Sequence, residues 1–168
     1  YKKCTSLLGM AFVISSKGVS MNKRPAIFLD RDGVIIEEVN YLSHPDQVKL
    51  IPGSAKAIQT LNTLGIPVIV VSNQAGVAKG YFPITQIPLV HARLKQLLAQ
   101  ENAHADAIYY CPHHSEGTIP EYSFKCQCRK PEPGMLLEAK EKLNLNLTQS
   151  WLIGDNITDV EAAAKVGC

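Results

Sequence analysis

The chain has 168 residues, 46% of them hydrophobic and 19% charged, which suits one domain with its own core and excludes general disorder. Its 17 Lys and Arg against 15 Asp and Glu leave a formal charge of +2, too little to hold a polyanion by bulk charge. No apolar stretch reaches the roughly 20 residues that a bilayer-spanning helix needs, so a soluble domain with no nucleic-acid and no membrane partner is expected.

Residues 1–24 read as a leader or extension ahead of a domain at 25–168. Lys2 and Lys3 precede an apolar run from Leu7 to Ile14 and then small residues, a crude signal-peptide order, while Met21 would make an ordinary start. Ala26 to Leu29 is a short buried strand ending in Asp30. Pro52-Gly53 leads into a helix with Ala55, Ile58, Leu61 and Leu64 on one face, closed by Gly65. Residues 67–72, continuously apolar and β-branched, form the strongest strand signal. A second helix opens near Thr85 to Pro88, since proline is tolerated in a first turn, and keeps Val90, Leu94, Leu97 and Leu98 at helical spacing. A strand at Ala107 to Tyr110, a helix at Met135 to Leu143, a strand at Trp151 to Gly154 and a helix from about Thr158 complete the pattern. The alternation implies a parallel sheet with helical crossovers, each strand buried on both faces. Sites in such sheets lie beyond the carboxyl ends of the strands, where Asp30 and Asp32, Ser72 and Asn73, Cys111 and His113, and Asp155 are expected to share one rim. A further strand is expected after Gly167-Cys168, and without it the strand bearing Asp155 would be a sheet edge.

Asp30-Arg31-Asp32-Gly33 could be no more than a polar turn. With Asp155 beside it, however, the pair of acids becomes a dense negative cluster that needs a cation. Oxygen-only ligands favour Mg²⁺, which is commonly bound by one or two carboxylates and a substrate phosphate. The hydroxyl and backbone N–H groups of Ser72-Asn73-Gln74-Ala75-Gly76 suit phosphate oxygens, although Ser and Asn are also ordinary helix caps. Arg129-Lys130-Pro131 adds two cations, and Asp159 in a helix's first turn complements the helix dipole.

Five cysteines, three of them at 111, 126 and 128, are unlike a secreted disulfide framework and point to a reducing compartment. Cys111-Pro112-His113-His114 and Cys126-Gln127-Cys128 offer thiolates and an imidazole that match tetrahedral Zn²⁺, at a spacing tighter than the usual Cys-x-x-Cys. Spacing leaves open which of His113 and His114 would ligate. The metal would order a loop, 111–128, with too few apolar residues to fold alone, and would position Arg129 and Lys130 directly after it. The bland alternative is three buried free thiols and a surface histidine.

Taken in order, a hydrophobic strand with Asp-x-Asp-Gly, a strand with Ser-Asn, Lys-Pro and then Gly-Asp-x-x-x-Asp resemble the haloacid dehalogenase-like (HAD) phosphatases. The resemblance implies a HAD-like three-layer α/β sandwich with a mostly parallel, Rossmann-like sheet and no large cap domain. It implies that Asp30 attacks phosphorus to form an aspartyl-phosphate, and that Asp32 protonates the leaving oxygen and then activates water. Ser72 and Lys130 would hold the phosphoryl oxygens, and Mg²⁺ would be bound by Asp30, the backbone carbonyl of Asp32, and Asp155. Residues 109–135 and 72–82 narrow the resemblance to the heptose-bisphosphate phosphatases. The related histidinol-phosphatases share Asp-Arg-Asp-Gly and the zinc ligands but typically have a shorter loop. On this resemblance Cys111, His113, Cys126 and Cys128 hold zinc, and Arg129 recognises the sugar. Glu38, Val39, Asn40 and Tyr41 would line its pocket, and Arg31, Asn73, Gln74 and Ala75 would also face substrate. The implied activity is removal of the 7-phosphate of a heptose 1,7-bisphosphate, by a cytoplasmic monomer, on a route to nucleotide-activated heptose for lipopolysaccharide. Alternatives are histidinol-phosphate hydrolysis, a non-catalytic zinc module, or an inactive fragment. Asn156, where those phosphatases carry Lys, and Val34 and Ile36, where Thr and Asn are common, depart from the pattern.

Overall fold

A computed structural model describes residues 23–168. The expected leader falls outside the described residues except at Lys23 and Arg24. Arg24 is already tied to the domain, its carbonyl accepting from the Asn146 amide at 2.9 Å.

Strands β1 (Ile27–Leu29), β2 (Val68–Asn73), β3 (Ala107–Cys111) and β4 (Trp151–Ile153) form one parallel sheet in the order β3-β2-β1-β4. Helices α1 (Ser54–Thr63), α2 (Gln86–Gln100) and α3 (Gly134–Leu143) make the three crossovers, and α4 (Ile157–Ala164) follows β4. Alternation along β1 and β2 explains the three layers. Leu29, Val68 and Val70 face a core built with Ile58 of α1 and Val90, Leu94 and Leu98 of α2. Phe28, Ile69 and Val71 face the opposite core, with Met135, Leu136 and Ala139 of α3 and Ala162 of α4. Both sheet faces are therefore covered, as a parallel sheet requires.

One expectation fails. The strands are not all buried on both faces: β3 and β4 are the two outer strands among the described residues, and β4, the strand expected to be an edge unless another follows, has Trp151 70% and Ile153 51% exposed. The period-2 and apolar signals of a strand do not distinguish an edge from a centre, because burial is decided by what packs beside it.

The order places the topological switch between β1 and β4, where the chain leaves adjacent strands towards opposite faces of the sheet. The Asp30 amide donates to the Ile153 carbonyl at 2.9 Å, so the turn after β1 is anchored to the end of β4. Asp30 and Asp155 are brought together by this crevice.

Candidate active site

Gly33 lets the two acidic turns meet. Its φ is +76°, and a Cβ there would lie 2.0 Å from Oδ2 of Asp155. The Asp155 carboxylate thus occupies the space a side chain would take against the Asp30-Arg31-Asp32 turn. Gly154 acts similarly in the second turn: a Cβ would fall 2.2 Å from Cγ of Asp159. Asp159 is thereby folded inward, fully buried, while its other oxygen accepts from the Asn156 amide at 3.2 Å and caps α4. Carboxylate oxygens of Asp30, Asp155 and Asp159 lie within 4.8 Å of one another. Three converging carboxylates in a crevice are a donor set suited to Mg²⁺.

Lys130, 2% exposed, is the counter-charge. Its Nζ lies 3.0 Å from Asp30 Oδ1 and 2.5 Å from Asp159 Oδ1, and donates to the Val71 carbonyl at 2.8 Å. Asn73 at the end of β2 clamps it from behind. The Asn73 side chain donates to the Lys130 carbonyl and accepts from the Lys130 amide, both at 3.0 Å. Burial pushes the Asp30 carboxyl up to about 6, with Asp159 repulsion adding to it and Lys130 and the Arg31 amide pulling it down.

Asp32 is held differently. The buried Arg31 guanidinium forks on to both its oxygens, Nη2 donating at 2.8 and 2.9 Å. Gln74 Nε2 donates to Asp32 Oδ2 at 2.9 Å and to Ser72 Oγ at 2.8 Å, and the Ser72 hydroxyl donates to the same Asp32 oxygen at 3.4 Å. The two aspartates of the first turn are thus separately wired, Asp30 to a lysine and Asp32 to an arginine.

These groups border a cleft of about 540 Å³. Glu38, Val39, Asn40 and Tyr41 wall it, and so do Ala75 and Arg129. Burial pushes the Glu38 carboxyl above its ordinary value, with Asp32, Asp155 and Asp30 adding repulsion. The cleft is also lined by the cations Lys79 and Arg129. Lys79 donates to the Tyr41 hydroxyl at 2.7 Å, and Arg129 donates to the His113 carbonyl at 3.2 Å. Burial, then the charges of Arg129 and Lys79, lower the affinity of His114 for a proton.

The expected common rim divides in two. The ends of β1, β2 and β4 reach the cleft, whereas the end of β3 builds a separate cluster. There Cys111, Cys126 and Cys128 place their sulfurs 3.1 to 3.4 Å apart, with His113 Nδ1 3.4 Å from Cys128 and 3.6 Å from Cys111. His114 turns elsewhere, its Nδ1 accepting from the Glu116 amide at 3.1 Å, so geometry selects His113. Burial and the neighbouring thiols push the Cys111 thiol up. Three crowded sulfurs and a neutral imidazole are a donor set that fits Zn²⁺.

Sequence reasoning credited Asp159 with the helix dipole alone and missed its pairing with Lys130; the absence of a side chain at Gly154 was the available signal. It set Asn73 and Arg31 against substrate; both line the cleft, and in addition the Asn73 carboxamide is engaged by the Lys130 backbone and the buried Arg31 guanidinium donates to Asp32. Lys79 was not singled out, and nothing local to it points across the cleft.

The haloacid dehalogenase-like hydrolase family matches residues 31–167. The D-glycero-β-D-manno-heptose-1,7-bisphosphate 7-phosphatase of Escherichia coli (strain K12) is 41% identical over 145 residues, covering 85% of this chain and 76% of that protein. The enzyme of the same name from Rhodopseudomonas palustris is 40% identical over 148 residues, covering 88% and 82%. Among solved structures, D,D-heptose 1,7-bisphosphate phosphatase from B. bronchiseptica, complexed with magnesium and phosphate, superposes with a TM-score of 0.76 at 34% identity, covering 86% of this chain and 77% of that one. With the acidic crevice, the wired lysine and the cysteine cluster, these likenesses agree on one conclusion: the chain belongs to the haloacid dehalogenase-like hydrolases and, within them, to the family of the D-glycero-D-manno-heptose-1,7-bisphosphate 7-phosphatases.

Proposed function

We propose that the chain hydrolyses the 7-phosphate of D-glycero-D-manno-heptose 1,7-bisphosphate, with Asp30 as nucleophile. The observation that carries this reading is one cleft lined by two sets of charges. Its carboxylates with Lys130 suit the reacting phosphate, and Lys79 with Arg129 suits a second anion. Histidinol phosphate offers an ammonium where a bisphosphate offers a second phosphate, and those cations disfavour it.

In this reading the Asp30 carboxylate attacks phosphorus and takes the phosphoryl group as an aspartyl-phosphate. Lys130, already beside it, stabilises the charge on the phosphoryl oxygens, and the Ser72 hydroxyl donates to one of them. Asp32 gives a proton to the leaving sugar oxygen and then takes one from the water that hydrolyses the intermediate. Asp30, the Asp32 carbonyl and Asp155 would hold Mg²⁺, with Asp159 behind them. When bound, the ion supplies positive charge against which an anionic carboxylate can approach an anionic phosphate. The thiols suit a reducing cytoplasm, the chain is read as a monomer, and the product would feed nucleotide-activated heptose for lipopolysaccharide. The test is phosphate release from heptose bisphosphate and from histidinol phosphate with Mg²⁺ present, with phosphorus NMR reporting which ester is cleaved. A higher kcat/KM for histidinol phosphate, or loss of the 1-phosphate first, overturns the reading.

Cys111, His113, Cys126 and Cys128 would hold one structural Zn²⁺. Elemental analysis is expected to find one zinc per chain. Its release by a thiol-directed mercurial should lower both the melting temperature and, by about tenfold or more, kcat/KM, because Arg129 and Lys130 follow the last thiol directly. A zinc-free chain with unchanged turnover would remove this role.

A further inference from the structure

The Arg31 guanidinium has a second attachment that the chemistry above leaves unused. Its Nη1 lies 3.4 Å from Nε2 of His91, a buried residue of α2. A guanidinium can only donate, so Nε2 must accept, which fixes His91 as the neutral tautomer with its proton on Nδ1. Burial, then Arg31 and Lys95, push the His91 imidazolium down to about 3, so the ring stays neutral at any working pH. Its ring stands edge-on to Tyr110 of β3, with centroids 5.6 Å apart. Arg31 is 1% exposed and His91 7%. Were His91 unable to accept, Nη1 would be a buried donor without its acceptor among the described residues, and such a group costs enough to make a guanidinium swing away.

We propose that His91 is a positioning residue: it pins the Arg31 fork, and through it the Asp32 carboxylate, where a proton can be passed to the leaving oxygen. The proposal rests on Asp32 being the proton donor. It separates into a sharp expectation, because a leaving group that departs without a proton does not need Asp32 in the first step. Aryl phosphates are such substrates and sugar phosphates are not.

His91→Phe keeps the ring against Tyr110 and removes the acceptor; His91→Gln restores an acceptor near the position of Nε2. His91→Phe should lower kcat/KM for heptose bisphosphate by about tenfold, leave kcat/KM for p-nitrophenyl phosphate within about twofold, and be substantially rescued in His91→Gln. Melting curves accompany each variant, and if His91→Phe does not fold, His91→Met carries the same expectation. Equal losses on both substrates, no loss on either, or a Gln variant no better than the Phe variant overturn the proposal. Asp32→Asn is the reference. If it shows the same substrate selectivity and His91→Phe does not, His91 is merely structural. If Asp32→Asn loses both substrates alike in kcat/KM, the proton-donor assignment fails and the positioning role falls with it.

Discussion

Asp30→Asn is expected to abolish turnover, by at least about 10³-fold, and at the same time to make the metal-free protein more stable. The first effect follows from losing the carboxylate that would attack phosphorus. The second follows from the position of that carboxylate. Asp30 goes from 3.8 to about 6 on folding, chiefly because it is buried and secondarily because Asp159 repels it, after the help from Lys130 has been counted. The unfolded chain therefore ionises this group first. Between about pH 4 and 6 the native state binds more protons than the unfolded one, so stability from this group falls as pH rises and the full cost is present above about pH 6. Asparagine carries no such cost. The variant should exceed the parent by about 1–3 kcal/mol at pH 7 to 8 without divalent metal, and the difference should close towards pH 4. Adding Mg²⁺ should stabilise the parent more than the variant, because ligand binding to the native state stabilises by mass action and the variant has lost an anionic ligand. Thermal melts at several pH values, with and without Mg²⁺, check all of this. A variant less stable than the parent at pH 8 without metal would contradict the account of why Asp30 is raised.

Much of this site was legible because its parts are local. Asp30 and Asp32 follow β1, Ser72 ends β2 and Asp155 follows β4, and a parallel sheet brings such ends to one edge whatever the details. The cysteine cluster was legible for the same reason: four ligands fall in two short pairs on either side of one loop. Legibility failed where two distant segments choose each other. The Asn73 carboxamide and the Lys130 backbone are 57 positions apart, and so paired only by the path of the segment between β3 and α3. His91 reads as a polar interruption of the apolar face of α2; only packing shows that it faces Arg31, 60 positions away. The exposure of Trp151 and Ile153 agrees with the edge position expected for their strand from the order of the elements, not with its apolar pattern, since apolar residues mark a strand without marking its neighbours.

Lys130→Met is expected to be as inactive as Asp30→Asn and opposite to it in stability. Methionine fills a similar volume but leaves Asp159, fully buried, and Asp30, largely so, facing each other without a cation. Removing one partner of a buried pair costs about 3–5 kcal/mol because the remaining charge is uncompensated, which for a chain of this size is a fall in melting temperature on the order of 10 °C. The sign of the pH dependence follows from Lys130 being a group that holds Asp30 down. Without it the Asp30 carboxyl rises further, so the deficit should grow as pH increases from about 5 to 8 and shrink in acid, where the carboxyl is neutral in both states. Mg²⁺ should recover part of the lost stability, since the ion would bind the carboxylates that the lysine left, but no turnover, since the phosphoryl oxygens lose their lysine. Adding Asp159→Asn to Lys130→Met should restore much of the metal-free stability, a coupling that arises only if the two side chains compensate each other directly. A double variant no more stable than Lys130→Met would show that the lysine stabilises through its bond to the Val71 carbonyl and its packing, and that the two acids never depended on it.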